Sequence, residues 1–226
     1  MNSTPILYGR GIEKTYKIGQ QNLQVLKGLN IEIYKGQDYC ILGGSGAGKS
    51  TLLHILGGLD RPTHGDVYFK GENLNKKSEE ALAKFRNQSI GFVFQFHHLL
   101  QEFTALENVS MPARLSGQKA KMAKQKAERL LVELGLGGRL RHYPSQMSGG
   151  EQQRVAIARA LMMSPEVLLA DEPTGNLDSE NANKIQDLFF ELKESLGLTL
   201  LVVTHDRQFA QRFSNVQTMR DGLWTT

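Results

Sequence analysis

The run Gly43-Gly44-Ser45-Gly46-Ala47-Gly48-Lys49-Ser50, followed by Thr51, fits the pattern G-x-x-x-x-G-K-[ST]. It constrains the fold because it works only between a strand and a helix. Asp38 to Leu42 reads as an apolar strand running into it, and Ser50 to Leu59 reads as the helix it opens. The glycines let successive backbone N–H groups turn inward, and the helix N-terminus adds a partial positive charge. Lys49 is placed to reach the β- and γ-phosphates of a nucleotide, and the Ser50 hydroxyl to ligate Mg²⁺.

Composition narrows the setting. The 226 residues suit one domain, or one domain with an inserted subdomain. Apolar residues make up 40% and charged residues 22%, too many apolar for a disordered chain. A single cysteine, Cys40, excludes an internal disulfide and a Cys-based zinc finger, and fits a reducing compartment. No apolar run approaches the length of a membrane span. Met1 to Gly11 lacks the basic-then-apolar order of a secretory signal. The net charge of +4 permits an anionic partner, but a solvated mixed-charge surface explains it equally well.

Leu29 to Tyr34 alternates with period two, Lys35-Gly36 is a turn, and Asp66 to Phe69 ends at a second turn, Lys70-Gly71. From Leu74 to about Ser164 the pattern is mainly helical. Gln118 to Leu134 places apolar residues at 122, 123, 127, 130, 131 and 134 on one helix face. Val167 to Ala170 and Leu198 to Val203 are apolar runs typical of strands buried on both sides of a parallel sheet, with Asn181 to Leu196 as the crossover helix. An α/β core interrupted by a helical insert is expected.

Two carboxylates end the strand Val167 to Ala170. Asp171 can enter a Mg²⁺ shell, and Glu172 can orient or deprotonate a water attacking the γ-phosphate. Alone, such a pair is also an ordinary solvated strand end. His205 ends another apolar strand and could sense the γ-phosphate. A second glycine cluster, Ser148-Gly149-Gly150, precedes the helix Val155 to Leu161. Ser148 and Glu151 have capping-box spacing, and the paired glycines suit close approach of a phosphate to a helix N-terminus.

In combination these residues resemble an ABC transporter ATPase. The resemblance rests on the loop at 43–51, Gln95 after Phe92-Val93-Phe94, the MSGGEQQR run at 147–154, Leu168 to Glu172, Asn176-Leu177-Asp178 and His205. It covers essentially the whole chain. It implies a P-loop, RecA-like α/β core with an antiparallel β-subdomain over 1–94 and 165–226, and a helical subdomain inserted at 95–164. It also implies a head-to-tail homodimer sandwiching two ATP. One copy would supply the loop glycines with Ser45, Ala47, Lys49, Ser50 and Thr51, together with Gln95, Asp171, Glu172 and His205. Its partner would supply Ser148, Gly149, Gly150 and Asp178. Ser50, Gln95 and Asp171 would hold Mg²⁺; Glu172, His205, Gln95 and Lys49 would act in hydrolysis. Tyr16 stands where the family stacks an aromatic on adenine, with Tyr8 and core packing as competing readings. Met147 and Glu151 replace the family's usual leucine and glutamine, and Glu151 brings a charge near the phosphate.

Phe94 to Leu100, Phe103 to Val109, Leu56 to Asp60 and Ala170 to Asp178 closely resemble the ATPases of lipoprotein-releasing (Lol) transporters of Gram-negative bacteria. That resemblance implies a peripheral subunit on the cytoplasmic face of the inner membrane. It would bind two integral membrane permeases, through which alone it contacts lipoprotein. Phe96, Leu99, Leu100 and Phe103 are candidates to receive a permease helix, though each also fits subdomain core. His97-His98 lacks the further ligands of a metal site. Macrolide-efflux-type and cell-division-type ATPases share most motifs. A soluble ABC protein acting on nucleic acid is a third reading, but only 99 residues separate Lys49 from Ser148, which leaves no room for a long coiled coil. The basic stretch Lys119, Lys121, Lys124, Lys126 and Arg129 reads as a solvated helix face, so no nucleic acid is expected.

Overall fold

The computed structural model describes residues 4–225. Strands β1 (Leu7–Ile18), β2 (Gln21–Ile33) and β3 (Asp38–Leu42) precede helix α1 (Lys49–Leu56). Then come β4 (His64–Phe69), the short β5 (Glu72–Asn73), α2 (Glu79–Ser89) and β6 (Ile90–Phe94). Three helices follow: α3 (Ala105–Leu115), α4 (Ala120–Glu133) and α5 (Gly149–Leu161). The chain closes with β7 (Val167–Asp171), α6 (Ser179–Leu196), β8 (Thr199–Thr204), α7 (Arg207–Ala210), β9 (Asn215–Arg220) and β10 (Leu223–Thr225).

Two compact units result. The first joins the residues up to Arg86 with those from Gly197 onward. It holds an antiparallel sheet in the order β2-β1-β4-β5. In β2 the core face carries Leu26, Leu29, Ile31 and Ile33, all buried, and the last three sit at alternate positions. In the same unit β3 runs parallel to both β8 and β9, and β10 returns antiparallel beside β9. Every residue of β8 is buried, the apolar run Leu200 to Val203 and the threonine at each end alike, as expected of a strand covered on both faces. Helix α1 buries Leu52, Leu53, Ile55 and Leu56, a close-packed set directly behind the glycine loop.

The second unit runs from Asn87 to Leu196 and includes the stretch 95–164. Here β6 and β7 pair in parallel, with Phe94 opposite Asp171. Helix α5 buries Val155, Ala156, Ile157, Ala158 and Leu161, and its alanines let α3 and α4 approach closely. Helix α3 starts with a Thr104/Glu107 capping box, which satisfies two amides that the first turn leaves open.

Two expectations change. Ile90–Phe94 is a strand inside a stretch read as mainly helical. It carries Phe-Val-Phe without polar alternation, so period alone does not separate it from a buried helix segment. Met122, expected on the inner face of α4, is 63% exposed. Ala123, Ala127 and Leu131 form that face instead.

Candidate nucleotide site

In the first unit, β3 ends at Leu42 and the loop Gly43–Gly48 opens α1, as the motif demands. Gly48 holds φ 102°, a left-handed conformation, and a methyl there would strike Leu26 Cδ2 at 2.9 Å. Only glycine fits both conditions. Lys49 is 6% exposed, and its Nζ donates to the carbonyls of Gly43 at 2.8 Å and Gly44 at 3.1 Å. Its ammonium is thus folded back over the loop, compact and largely desolvated. A cavity of about 610 Å³ is lined by Gly43, Gly44, Ser45, Ala47 and His205 together with Arg207. His205 therefore faces the phosphate loop within one unit. Arg207 shares that cavity, and no motif had pointed to it.

Tyr16 also belongs to this unit. Tyr16 is 37% exposed, and its hydroxyl donates to Asp60 Oδ2 at 2.9 Å. Burial first, then the Asp60 carboxylate, raise its phenol above the usual range. Tyr8 is occupied elsewhere: it stacks on Tyr68 at 4.8 Å with Arg10 over its ring. Of the two aromatics considered, Tyr16 is the one bonded to a carboxylate in the turn after α1.

The second unit gathers the remaining candidates. Asp171 closes β7. Glu172, next in the chain, has φ 44°, unusual for a residue with a side chain and costly unless its surroundings hold it. Gly175 N–H donates to the Glu172 carbonyl at 3.0 Å and closes that turn. Gln95 and Asn176 bond reciprocally: Gln95 Nε2 donates to Asn176 Oδ1 at 3.1 Å, and Asn176 Nδ2 donates to the Gln95 carbonyl at 3.1 Å. Asn176 was visible only as part of a motif; its link to Gln95 spans 81 residues.

Helix α5 begins at exposed Ser148 and Gly149. Ser148 Oγ accepts from Glu151 N–H at 3.2 Å, and Ser148 N–H donates to Glu151 Oε2 at 2.8 Å. Gly150 is buried, and a methyl there would press on Asn181 Oδ1 at 3.0 Å. Asn181 in turn donates to Asp178 through its amide at 3.0 Å and its side chain at 2.6 Å, and the first of these chiefly lowers the Asp178 carboxyl. Glu151 does not act as a loose charge. Its Oε1 accepts from Arg139 Nε at 2.7 Å, and Arg139, then the Ser148 amide, hold its carboxyl below the ordinary range. The charge that Glu151 brings is compensated locally.

Among the docking candidates, Phe96 and Leu100 are exposed, whereas Leu99 is 7% exposed and belongs to the core. The carbonyls of His97 and His98 accept from Arg159 Nη2 at 2.8 Å and Nη1 at 2.6 Å. Burial first pushes the His97 imidazole below its usual value, so it stays neutral at pH 7.

The sequence model of the family described as ABC transporter matches residues 26–175. The chain belongs to the ABC transporter family. It is 55% identical over 213 residues to the lipoprotein-releasing system ATP-binding protein LolD of Bdellovibrio bacteriovorus, covering 94% of this chain and 97% of that one. To the LolD protein of Syntrophus aciditrophicus it is 54% identical, covering 94% and 96%. Its fold matches a dimeric post-hydrolysis structure of the ATP-binding cassette MJ0796 bound to ADP and Pi, with TM-score 0.90, 40% identity and 97% of each chain covered. The two units thus make up a P-loop ABC ATPase fold, and the chain is an ATPase.

Proposed function

We propose that this chain is the ATP-hydrolysing subunit of a transporter that releases lipoproteins from the inner membrane toward the outer membrane. One observation carries the reading. Six relatives at 48–55% identity, each matched over at least 93% of this chain, all bear the lipoprotein-releasing name. Among the described residues no helix is long and apolar enough to cross a membrane. The translocating path would then belong to two integral permease subunits, with this chain peripheral on the cytoplasmic side. Exposed Phe96 and Leu100, after Gln95, offer an apolar surface to a permease helix.

Two copies would close head-to-tail around two ATP. In each site Gly43 to Thr51 wraps the phosphates, Lys49 neutralises the β- and γ-oxygens, and Tyr16 stacks on adenine. The partner copy brings Ser148, Gly149, Gly150 and Asp178, and the exposed N-terminus of α5 supports this role. Glu172 takes the proton of the attacking water. The water oxygen bonds to the γ-phosphorus, and the bond from phosphorus to the ADP oxygen breaks. His205 holds the γ-phosphate.

Ser50, Gln95 and Asp171 fit Mg²⁺. They are all oxygen donors, and among the described residues no group of three or more His, Cys, Asp and Glu forms a cage of its own. Mg²⁺ characteristically takes few protein ligands and completes its shell with phosphate and water. When bound, the ion spreads the charge that develops on the β- and γ-oxygens.

The test is capture from native membranes. Tagged Glu172→Gln protein, extracted in mild detergent with ATP and Mg²⁺, should retain two related permeases carrying a lipoprotein. One permease type with a periplasmic adaptor or a division protein would replace lipoprotein release with efflux or cell division. Ribosome or DNA would discard transport.

A further inference from the structure

We propose that Asp60 and Lys14 are positioning residues of the nucleobase platform: Asp60 pins the Tyr16 hydroxyl, Lys14 backs one ring face, and the opposite face takes a purine. The inference rests on the reading of Tyr16 as the adenine-stacking residue.

Tyr16 lies near the end of β1, where it pairs with Leu23 across the β1–β2 hairpin. A partly exposed tyrosine there has two free side-chain torsions unless something holds it. Fixing them in advance removes an entropy cost from nucleotide binding. Two groups hold it here. The hydroxyl donates to Asp60 Oδ2 at 2.9 Å, and Lys14 Nζ sits 4.9 Å from the ring centroid.

The anchor is itself anchored. Asp60 Oδ1 accepts from Lys14 Nζ at 2.7 Å and from the Arg61 amide at 2.7 Å. Lys14 also donates to the Arg61 carbonyl at 2.6 Å, and its side chain is only 12% exposed. Burial works against the Asp60 carboxylate, yet Lys14, Tyr16 and the Arg61 amide hold it ionised below its ordinary value. Asp60 lies in the turn after α1, past Gly57, Gly58 and Leu59, and the amides of Leu59 and Asp60 both donate back to the His54 carbonyl, at 2.8 and 3.3 Å. The turn bonded to the far end of the helix that opens at the phosphate loop therefore carries the group that pins the ring. Base platform and phosphate cradle are thereby linked through α1 and the turn that follows it.

The chemistry also defines specificity. A cation over one face of the ring draws π density from it, so the other face is better matched to an electron-rich purine. The hydroxyl is committed to Asp60 and does not read base edges. Tyr16 would then select the purine ring system without discriminating adenine from guanine by hydrogen bonding.

The test compares equilibrium binding of MgATP, MgGTP and Mg-tripolyphosphate, which has no base, to the full chain and its variants. Asp60→Ala should weaken ATP and GTP alike, by about fivefold, and leave tripolyphosphate unchanged. It should raise KM with kcat retained. Asp60→Asn, which keeps an acceptor for the hydroxyl, should return to within about twofold. Tyr16→Phe removes only the hydroxyl; it should match Asp60→Ala, and the two combined should add nothing. If Asp60→Ala does not fold, Tyr16→Phe and Asp60→Asn still decide. Equal weakening of tripolyphosphate, or full additivity with Tyr16→Phe, would overturn the positioning role. If Tyr16→Ala fails to weaken ATP relative to tripolyphosphate, the platform reading itself falls. If Tyr16→Ala weakens it but Asp60→Ala and Tyr16→Phe do not, only the role of Asp60 falls.

Discussion

The side-chain amide of Gln153 donates to the carbonyl oxygen of Pro173 at 2.7 Å, in the interior of the second unit. Gln153 lies one turn into the helix that begins at Ser148, and Pro173 directly follows Glu172. The bond ties α5 to the strained turn that presents the proposed base. Arg159, further along the same helix, holds the loop after Gln95 through the carbonyls of His97 and His98. One helix thus braces both the Glu172 turn and the Gln95 segment.

Replacing Gln153 by methionine should therefore lower kcat more than it alters ATP affinity. Gln153 Oε1 is buried without a protein partner, so the change removes an orphan acceptor along with a useful donor. The stability cost should sit near the lower end of the ~1–3 kcal/mol expected for a stranded buried group. Thermal unfolding and steady-state kinetics on the same variant separate the two effects.

The bond from Arg139 to Glu151 gives a pH dependence. The folded-state carboxyl of Glu151 is held below its unfolded value, through Arg139 first and the Ser148 amide second. Its contribution to stability is present above the ordinary carboxylate range and disappears as pH falls through the lower folded value. Denaturant unfolding of the native chain and of Glu151→Gln should differ at pH 7, with the native chain the more stable. The difference should vanish as pH falls below the lowered folded value. A constant difference over that range would show that the Glu151 charge is not what holds the cap.

Lys49→Ala should weaken MgATP binding by about tenfold or more, since a buried ammonium bonded to phosphate oxygens is a charge-assisted contact. Equilibrium binding measures this directly. Unchanged affinity together with unchanged turnover would contradict the assignment of the phosphate loop.

Much of this was legible in the sequence, and the reasons are local. The bounds of β3 were readable because an apolar run meets a glycine loop; β7 was readable because four apolar residues end in two carboxylates. The Ser148/Glu151 cap was visible as spacing, and the structure shows both of its bonds. What escaped depends on distant partners. Asp60 pins a ring 44 positions away, and Gln153 holds a carbonyl 20 positions on. No period or motif encodes such pairs. The ion pair of Glu151 was not legible because Arg139, 12 positions earlier, carries no signal of its own. Leu99 and Leu100 are adjacent and equally apolar, yet one is core and the other surface, a choice made by the turn that carries them.

The most direct test of the ATP-sandwich account is the mass and nucleotide content of Glu172→Gln in MgATP, by light scattering on a sizing column. Without a base to take the proton, turnover should fall by about a hundredfold or more while binding persists. The account predicts a dimer holding two ATP, which returns to monomer when Ser148 is also replaced by a bulky residue such as Phe. A Glu172→Gln chain that stays monomeric and hydrolyses ATP at the native rate would contradict it.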